Sequence, residues 1–153
     1  MASEATARKF FTASAFAVVG ASSNTAKFGH KVFAWYLAYN LPVTPINPSA
    51  GHVTVQGKDY PAVPNLTALP NPKETAVSII THPAITIDVL KEANRVGVPS
   101  IWLQPGTWDD AVLAFANEKG NFENVVYGDG GRGGEGWCVL VDGERVAKAA
   151  GKL

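Results

Sequence analysis

The chain contains a single cysteine, Cys138, among its 153 residues. One cysteine cannot form an internal disulfide bond or a cysteine-based metal cluster, so both are excluded, and we expect no metal site. An excess of positive charge is also absent, since 13 Lys and Arg side chains balance 13 Asp and Glu side chains. A general nucleic-acid-binding domain is normally basic, so this balance argues against a nucleic-acid partner.

Long hydrophobic runs are missing too. No apolar stretch approaches the roughly 20 residues of a membrane span. The first residues, MASEATARKFF, lack the apolar segment of a secretory signal and favour a short amphipathic helix over a transit peptide, which stays an open alternative. We therefore expect a soluble, cytoplasmic protein without membrane contact. Its length and its hydrophobic content of 46% are typical of one globular domain, residues 1–153.

Strand and helix patterns alternate along residues 3–127. The predicted strands are Ala15–Val19, Pro42–Asn47, Ala76–Thr81, Pro99–Leu103 and Phe122–Tyr127. The predicted helices are Ser3–Thr12, Gly29–Tyr39, Pro83–Arg95 and Trp108–Lys119, with Ser3 and Thr107 as N-caps and Gly97 closing the third helix. This order predicts an α/β fold: a Rossmann-like, doubly wound parallel sheet between two layers of helices.

Two segments depart from the alternation. Residues 48–72 hold five of the ten prolines, and we interpret them as a loop with one helical turn near Asn65–Ala68. Residues 128–136 form a glycine-rich stretch, which is either a flexible lid or simple disorder. The following WCVLVDGERVA predicts a β-hairpin with Asp142–Gly143 as its type I′ turn.

The most informative stretch is FAVVGASSNTAKFG, residues 16–29. A buried strand stops at Gly20, a small polar loop follows, and Gly29 precedes a helical pattern. Unpaired N–H groups at a helix start and the helix dipole both favour an anion. The sequence therefore predicts a phosphate site, and with it a nucleotide ligand.

The usual dinucleotide signature is incomplete. Ser22 stands where the second glycine of G-x-G-x-x-G belongs, and Asn47–Pro48 stands where an acid would bind the ribose hydroxyls. NAD is disfavoured by the missing carboxylate. NADP stays an alternative, because Lys27, His30 and Lys31 could meet its extra phosphate.

Four strand ends lead into loop sequences, and ligands of such sheets bind beyond those ends. The residues at the ends are Gly20, Ala21 and Ser22, then Asn47 and Pro48, then Thr81, His82 and Pro83, and last Gln104, Pro105 and Gly106. We expect one crevice to be assembled from them.

The motifs FAVVGAS, KFGHKV, PINP, THP and WLQPG occur in this order over residues 14–127. Together they resemble the small CoA-binding proteins, single-domain relatives of the N-terminal domain of the succinyl-CoA synthetase alpha subunit. The resemblance implies a Rossmann-like fold with CoA lying across the strand ends.

The resemblance also implies a place for each motif. Gly20, Ala21 and Ser22 would face the diphosphate; Lys27, Phe28, Gly29, His30 and Lys31 would frame the helix N-terminus; Asn47 and Pro48 would lie against the 3′-phosphate end; Thr81, His82 and Pro83 would border the adenine; Gln104, Pro105 and Gly106 would lie toward the pantetheine arm.

The chain departs from its relatives at two places. They often carry a lysine after N-P, whereas Ser49–Ala50 stands here, so either Lys27, Lys31 or Lys58 meets the 3′-phosphate or the affinity is lower. Many also carry a compact D-R-C, whose counterparts here, Asp129, Arg132 and Cys138, are spread apart by glycines.

The sequence shows no catalytic constellation, and the phosphohistidine domain of the synthetases is absent. We therefore predict a binding or carrier module for CoA or an acyl-CoA rather than an enzyme. One alternative is an NAD(P)-dependent oxidoreductase with His82 or Tyr127 as proton donor. Another is an acyl-CoA-sensing protein whose glycine-rich stretch responds to ligand and engages a protein partner. A homodimer is plausible in either case.

Two residue types have simpler interpretations. Trp35, Trp102 and Trp108 are assigned to packing rather than to a stacking platform. Cys138 is assigned to a strand as a buried, inert thiol, with a mixed disulfide to CoA as the competing hypothesis.

Overall fold

The computed structural model describes residues 3–128 and 137–153. The helices of this part are α1 Glu4–Phe10, α2 Phe28–Ala38, α3 Pro83–Val96, α4 Asp110–Ala116 and α5 Val139–Ala149, with short 3₁₀ turns at Leu66–Ala68 and Pro72–Glu74. The strands are β1 Ala15–Val19, β2 Val43–Ile46, β3 His52–Val55, β4 Lys58–Pro61, β5 Thr75–Ile79, β6 Ser100–Leu103 and β7 Asn124–Val126. Most of the predicted glycine-rich stretch, residues 129–136, lies outside the described residues.

Five strands form one parallel sheet in the order β2-β1-β5-β6-β7. Val19 pairs with both Ile46 and Ile79, and Ile79 pairs with Leu103, so the carboxyl ends of four strands are level. The chain leaves β1 toward β2 and later returns to the other side of β1 as β5. This reversal is the switch point at which doubly wound sheets bind ligands. The predicted Rossmann-like fold is confirmed.

Alternate residues of the strands serve two hydrophobic cores. Phe16 and Val18 of β1 face the core under α1, α2 and α5, whereas Ala17 and Val19 face the core under α3 and α4. Each of the four is at most 7% exposed. A strand covered on both faces has no need of polar alternation, which is why AFAVV is continuously apolar.

An aromatic cluster joins α1 to the first of these cores. The rings of Phe10 and Trp102 lie 5.4 Å apart in an edge-to-face arrangement, and those of Phe11 and Phe16 lie 5.6 Å apart. Trp102 is fully buried, as predicted for a packing residue. Ser3 caps α1 by accepting a hydrogen bond from the Thr6 amide, also as predicted.

The predicted C-terminal hairpin is wrong, because residues 139–149 form helix α5. Asp142–Gly143 favours a turn locally, but packing overrides that preference. Val139, Val146 and Ala147 recur at helical spacing on the buried face. A Cβ on Gly143 would lie 2.5 Å from Cζ2 of Trp35, so the glycine is there for close packing against α2.

The segment predicted as a loop contains the antiparallel hairpin β3–β4. Its turn residues Gln56 and Gly57 both have positive φ, 50° and 77°. This is the backbone of a type I′ turn, but Gln-Gly is not one of its common sequences, so the pattern gave no signal. The predicted turn near Asn65 is present, with the Asn65 side chain accepting from the Ala68 amide.

Helix α4 is shorter than predicted, Asp110–Ala116, and its cap differs. The Thr107 hydroxyl donates to the Gln104 carbonyl at 2.7 Å and is therefore committed to the preceding turn. Asp109 takes the capping position by accepting from the Val112 amide at 2.9 Å. Gly97 closes α3 in the left-handed conformation, φ 89°, as expected.

Candidate functional site

Gly20 lies where β1 ends, at the switch point. Its φ is 96°, and a Cβ added there would lie 2.2 Å from the Ile80 carbonyl oxygen. No side chain fits between the ends of β1 and β5. The strand ends therefore approach each other closely and leave backbone, not side chain, facing the crevice.

Gly29 brings helix α2 against the same point. A Cβ added to Gly29 would lie 1.9 Å from the Gly20 carbonyl oxygen. Both glycines thus have a packing reason, and that packing sets the first turn of α2 directly on the β1 end. The two interpretations of these glycines, packing and phosphate binding, therefore do not compete.

The first turn of α2 has unpaired amides. Lys27 is its N-cap but makes no side-chain capping bond. The amides of His30 and Lys31 return to the Lys27 carbonyl. Within residues 3–128 and 137–153, the amides of Phe28 and Gly29 have no acceptor. Two free N–H groups at the positive end of an 11-residue helix suit an anionic oxygen.

Three basic side chains frame this turn. Lys27 and Lys31 are exposed, whereas His30 is only 9% exposed. The Nδ1 atom of His30 lies 2.9 Å from the Ser22 carbonyl oxygen, which can only accept, so Nδ1 carries the hydrogen. Nε2 is then the ring atom left for a ligand, as an acceptor in neutral His30 and as a donor when the ring is protonated.

Lys58, the third lysine considered for the phosphate, lies elsewhere. It lines a groove with Leu37 and Ala38, in the C-terminal half of α2. Its Nζ atom lies 5.3 Å from the centre of the Tyr60 ring. Lys27 and Lys31 are therefore the two of these three lysines that lie beside the first turn of α2.

Asn47 ties the end of β2 to the β1–α2 loop. Its Nδ2 donates to the Ala21 carbonyl at 3.0 Å, and its Oδ1 accepts from the amides of Ser49 and Ala50 at 2.8 and 3.1 Å. The amide group is thus engaged on both sides. Asn47 fixes the position of Pro48 and of the loop rather than offering a free group.

An apolar pocket of about 140 Å³ opens beside Gly20, between the ends of β1 and β2 and helix α3. It is lined by Val19, Gly20, Ile46, Pro48, Pro64, Asn65, Leu66, Thr81, Ile85, Val89 and Glu92. Ile85 of α3 is 54% exposed. An exposed isoleucine beside two prolines favours a flat apolar group, such as a nucleobase.

Glu92 fixes one wall of this pocket, and sequence reasoning missed it. Its carboxylate accepts from the amides of Leu66 and Thr67 at 3.2 and 3.3 Å and from the Thr67 hydroxyl at 2.7 Å. These bonds hold the 3₁₀ turn of the pocket wall against α3. Nothing in the local sequence reveals a contact between residues 25 positions apart.

The THP motif forms the start of α3. The Nδ1 of His82 accepts from the Ala84 amide at 3.3 Å, so His82 is the N-cap, and Pro83 is the first helical residue. Thr81 lines the pocket and contacts the Thr86 hydroxyl at 2.7 Å. Since Nδ1 accepts, the hydrogen of neutral His82 lies on Nε2 at the exposed side.

Gln104 is fully buried and does not face the crevice with its side chain. Its Oε1 accepts from the Val139 amide at 3.0 Å, and its Nε2 donates to Ser78 Oγ at 3.4 Å. Ser78 in turn contacts the Tyr36 hydroxyl at 2.7 Å, and burial raises the pKa of Tyr36 far above its usual value. Gln104 thus anchors the start of α5 to β6, while Pro105 and Gly106 reach the surface.

Cys138 is the N-cap of α5 rather than a strand residue. It is partly buried, and burial raises the pKa of its thiol. A thiol with a raised pKa is less ionised at neutral pH and less nucleophilic, which agrees with the inert interpretation.

Trp108 lies in the loop between β6 and α4, and its ring contacts Tyr127 at 5.9 Å between centres. Its Nε1 is buried and, among residues 3–128 and 137–153, has no hydrogen-bond partner. A buried unpaired donor costs about 1–3 kcal/mol, so this N–H lowers the stability of the described structure.

In the described parts of the chain, no three His, Cys, Asp or Glu side chains are gathered closely enough to hold a metal ion. No helix there combines the length and apolarity needed to cross a membrane.

Comparison with known proteins gives one family and several similar structures. The model of the CoA binding domain family matches residues 14–128, three quarters of the chain. A comparison with curated proteins finds no match.

The solved structures share the fold. A hypothetical protein from Pyrococcus horikoshii OT3 has a TM-score of 0.75 at 22% identity, covering 95% of this chain and 92% of its own. A Thermus thermophilus protein has a TM-score of 0.73 at 23% identity, covering 95% and 99%. A conserved hypothetical protein from Pyrococcus furiosus has a TM-score of 0.67 at 28% identity, covering 84% and 97%.

Proposed function

The chain belongs to the CoA binding domain family, and from that premise we propose that it binds coenzyme A or an acyl-CoA as a module without catalysis of its own. One observation carries the proposal. An anion-binding helix start and a base-sized apolar pocket meet at Gly20, at the switch point of the sheet. This is the arrangement that an adenosine diphosphate group requires.

The diphosphate is assigned to the first turn of α2. The free amides of Phe28 and Gly29 and the protonated lysines Lys27 and Lys31 offer both hydrogen bonds and charge. His30 adds a ring nitrogen whose orientation is fixed by Ser22.

The adenine is assigned to the pocket between β2 and α3. Ile85 and Val89 supply one apolar wall, and Pro48 and Pro64 belong to the other segments of the lining. Asn47 supports this region by holding the end of β2 to the β1–α2 loop. The 3′-phosphate is assigned to Lys27 or Lys31, since Lys58 lies against the far half of α2.

The alternatives receive no specific support. No finding favours NADP, and His82, one of the two proton donors considered, is engaged as the cap of α3. The sensing hypothesis concerns residues outside the described part of the chain. The single-domain organisation, the cytoplasmic location and a homodimer or other protein partner remain predictions from the sequence.

Calorimetric titration with CoA, acetyl-CoA, NAD and NADPH tests the ligand class. We expect the two CoA compounds to bind and the nicotinamide cofactors to give no heat. Binding of NADPH alone would contradict the proposal.

A matched pair of variants tests the site. Ile85→Ser removes an exposed apolar side chain from the pocket, and Val141→Ser makes a comparable change on α5, where Val141 is 69% exposed. We expect about tenfold weaker CoA binding for Ile85→Ser, the effect of losing part of an apolar wall. Val141→Ser should bind CoA as tightly as the wild type does. Equal affinities in both variants would show that the adenine does not bind in this pocket.

A further inference from the structure

The unpaired indole N–H of Trp108 lies at the same edge of the sheet as the proposed ligand. Trp108 follows β6 by five residues, and its ring packs against Tyr127, the residue after β7. Its Nε1 is buried, and no residue in the described part of the chain accepts its hydrogen. In contrast, the indole of Trp102 donates to the Trp137 carbonyl at 3.0 Å. Within the described ranges, Trp108 is therefore left with an unused donor.

The spacing of the sheet relates this donor to the phosphate site. From β1 to β7 the order is β1-β5-β6-β7, three strand spacings of about 4.8 Å each, or about 14 Å in all. The pantetheine arm of CoA is about twelve bonds long, the length of about four extended residues, or about 14 Å. A diphosphate at the end of β1 thus allows the sulfur to reach the ends of β6 and β7.

The other direction along the sheet is closed. The edge of β2 is covered by the segment that follows β4, since the Val63 amide donates to the Pro45 carbonyl and the Asn47 amide donates to the Val63 carbonyl. The β3–β4 hairpin is held to the β1–α2 loop, because the Thr54 amide donates to Ser23 Oγ at 2.8 Å. An extended arm that starts at the end of β1 is therefore directed toward β5, β6 and β7 rather than past β2.

We propose that Trp108 recognises the thioester carbonyl of an acyl-CoA, with its indole Nε1–H as the donor. The inference rests on the proposed function and names the ligand form that the site prefers: an acyl thioester over the free thiol. A neutral, rigid donor suits a neutral carbonyl oxygen. Asp109 and Asp110 follow directly in sequence and are exposed, so an acyl chain ending in a carboxylate meets like charge. The class is therefore an uncharged acyl group.

The Trp108 donor is covered in the free protein, so binding has to move it. The loop that carries it contains Gly106, which is exposed, has φ 85° and has open space around its Cβ position. Changes of side-chain rotamer are common on binding, and a minority of complexes also rearrange a loop. We therefore expect tryptophan fluorescence to change when the ligand binds, and we expect this change to be lost when Trp108 is replaced.

The test compares three ligands of one scaffold. Acetyl-CoA carries the carbonyl, the thioether S-ethyl-CoA has nearly the same size without it, and CoA has the free thiol. Wild-type protein should bind acetyl-CoA about 3- to 10-fold more tightly than S-ethyl-CoA, the effect of one hydrogen bond. Trp108→Phe keeps an aromatic ring but removes the N–H, and it should erase that preference. Trp35→Phe makes the same chemical change on α2 and should retain it.

The outcomes separate this inference from the proposed function. If wild-type protein binds CoA but does not distinguish acetyl-CoA from S-ethyl-CoA, the thioester recognition is wrong and CoA binding stands. If Trp108→Phe weakens all three ligands equally, Trp108 acts through packing, and the inference is again wrong. If none of the three binds to wild-type protein, both are wrong. Loss of the preference in Trp108→Phe, with unchanged affinity for S-ethyl-CoA, supports it.

Discussion

The Cβ position of Gly29 and the carbonyl oxygen of Gly20 are 1.9 Å apart, so the start of α2 and the end of β1 share a space that admits no side chain. The contact joins two residues nine positions apart and sets two free amides at the switch point. The same contact is thus needed both for the packing of the helix on the strand and for the direction in which its amides point.

Gly29→Ala should therefore lower both stability and affinity. The added methyl group overlaps backbone rather than a flexible side chain, so the helix must shift, at a cost of about 3 kcal/mol or more. Gly51→Ala is the control, since nothing lies within 4 Å of that Cβ position and its φ is not positive. Urea unfolding of both variants measures the difference; equal midpoints would show that the contact is not constrained.

Removing the two lysines beside this turn should weaken CoA binding. Lys27→Ala with Lys31→Ala deletes two exposed charges at the proposed phosphate site, and we expect about tenfold lower affinity at low salt. The salt dependence of binding should also become shallower. Lys58→Ala, which lies against Ala38, is the control and should leave both unchanged. Calorimetry at two salt concentrations measures both effects. An unaltered affinity in the double variant would show that the phosphate does not bind at this turn.

How much of this could be read from the sequence depends on the range of the interactions. The apolar run AFAVV predicted β1, and the loop from Gly20 to Gly29 predicted the start of α2. Both predictions succeeded because strand burial and helix-start chemistry depend on local sequence. The residues at strand ends likewise followed from the parallel order. Their orientations did not: Gln104 points into the fold because the Val139 amide needs an acceptor, a contact across 35 positions.

The two segments whose secondary structure was wrongly predicted have the same origin. Asp142–Gly143 has the composition of a turn, yet Trp35 of α2 requires a glycine at that place in a helix. The β3–β4 hairpin turns at Gln56–Gly57, a dipeptide that is not typical of hairpin turns. Local preference decided neither segment, because tertiary packing was worth more than the preference.

Glu92→Ala should loosen the pocket wall. The carboxylate accepts three hydrogen bonds from Leu66 and Thr67; without it the part-buried Leu66 amide loses its acceptor, whereas the exposed Thr67 donors turn to water, so we expect a cost of about 1 kcal/mol. Affinity for CoA should fall together with affinity for adenosine diphosphate, because the wall borders the pocket proposed for the base. Arg95→Ala is the control: it removes a hydrogen bond to the Thr67 hydroxyl and a surface ion pair with Glu92 at 3.9 Å, but it leaves the Glu92 carboxylate and its bonds to the turn in place. Thermal unfolding and calorimetry measure both effects, and a wild-type affinity in Glu92→Ala would exclude a role for this wall.

Cys138 should react slowly at neutral pH and progressively faster in base. Burial raises the pKa of its thiol, with the nearby Asp142 carboxylate acting in the same direction, although the amides of Leu140 and Val141 oppose them. The protonated thiol is favoured in the folded state, so its contribution to stability is present below the ordinary thiol pKa and is lost as the pH rises through the raised value. Iodoacetamide labelling of native protein should keep accelerating beyond the pH at which a free thiol levels off, and Asp142→Asn should lower that pH. A rate that already levels off near pH 8 would show an activated thiolate instead, and would favour the mixed disulfide with CoA, which mass spectrometry of oxidised protein would then detect on Cys138.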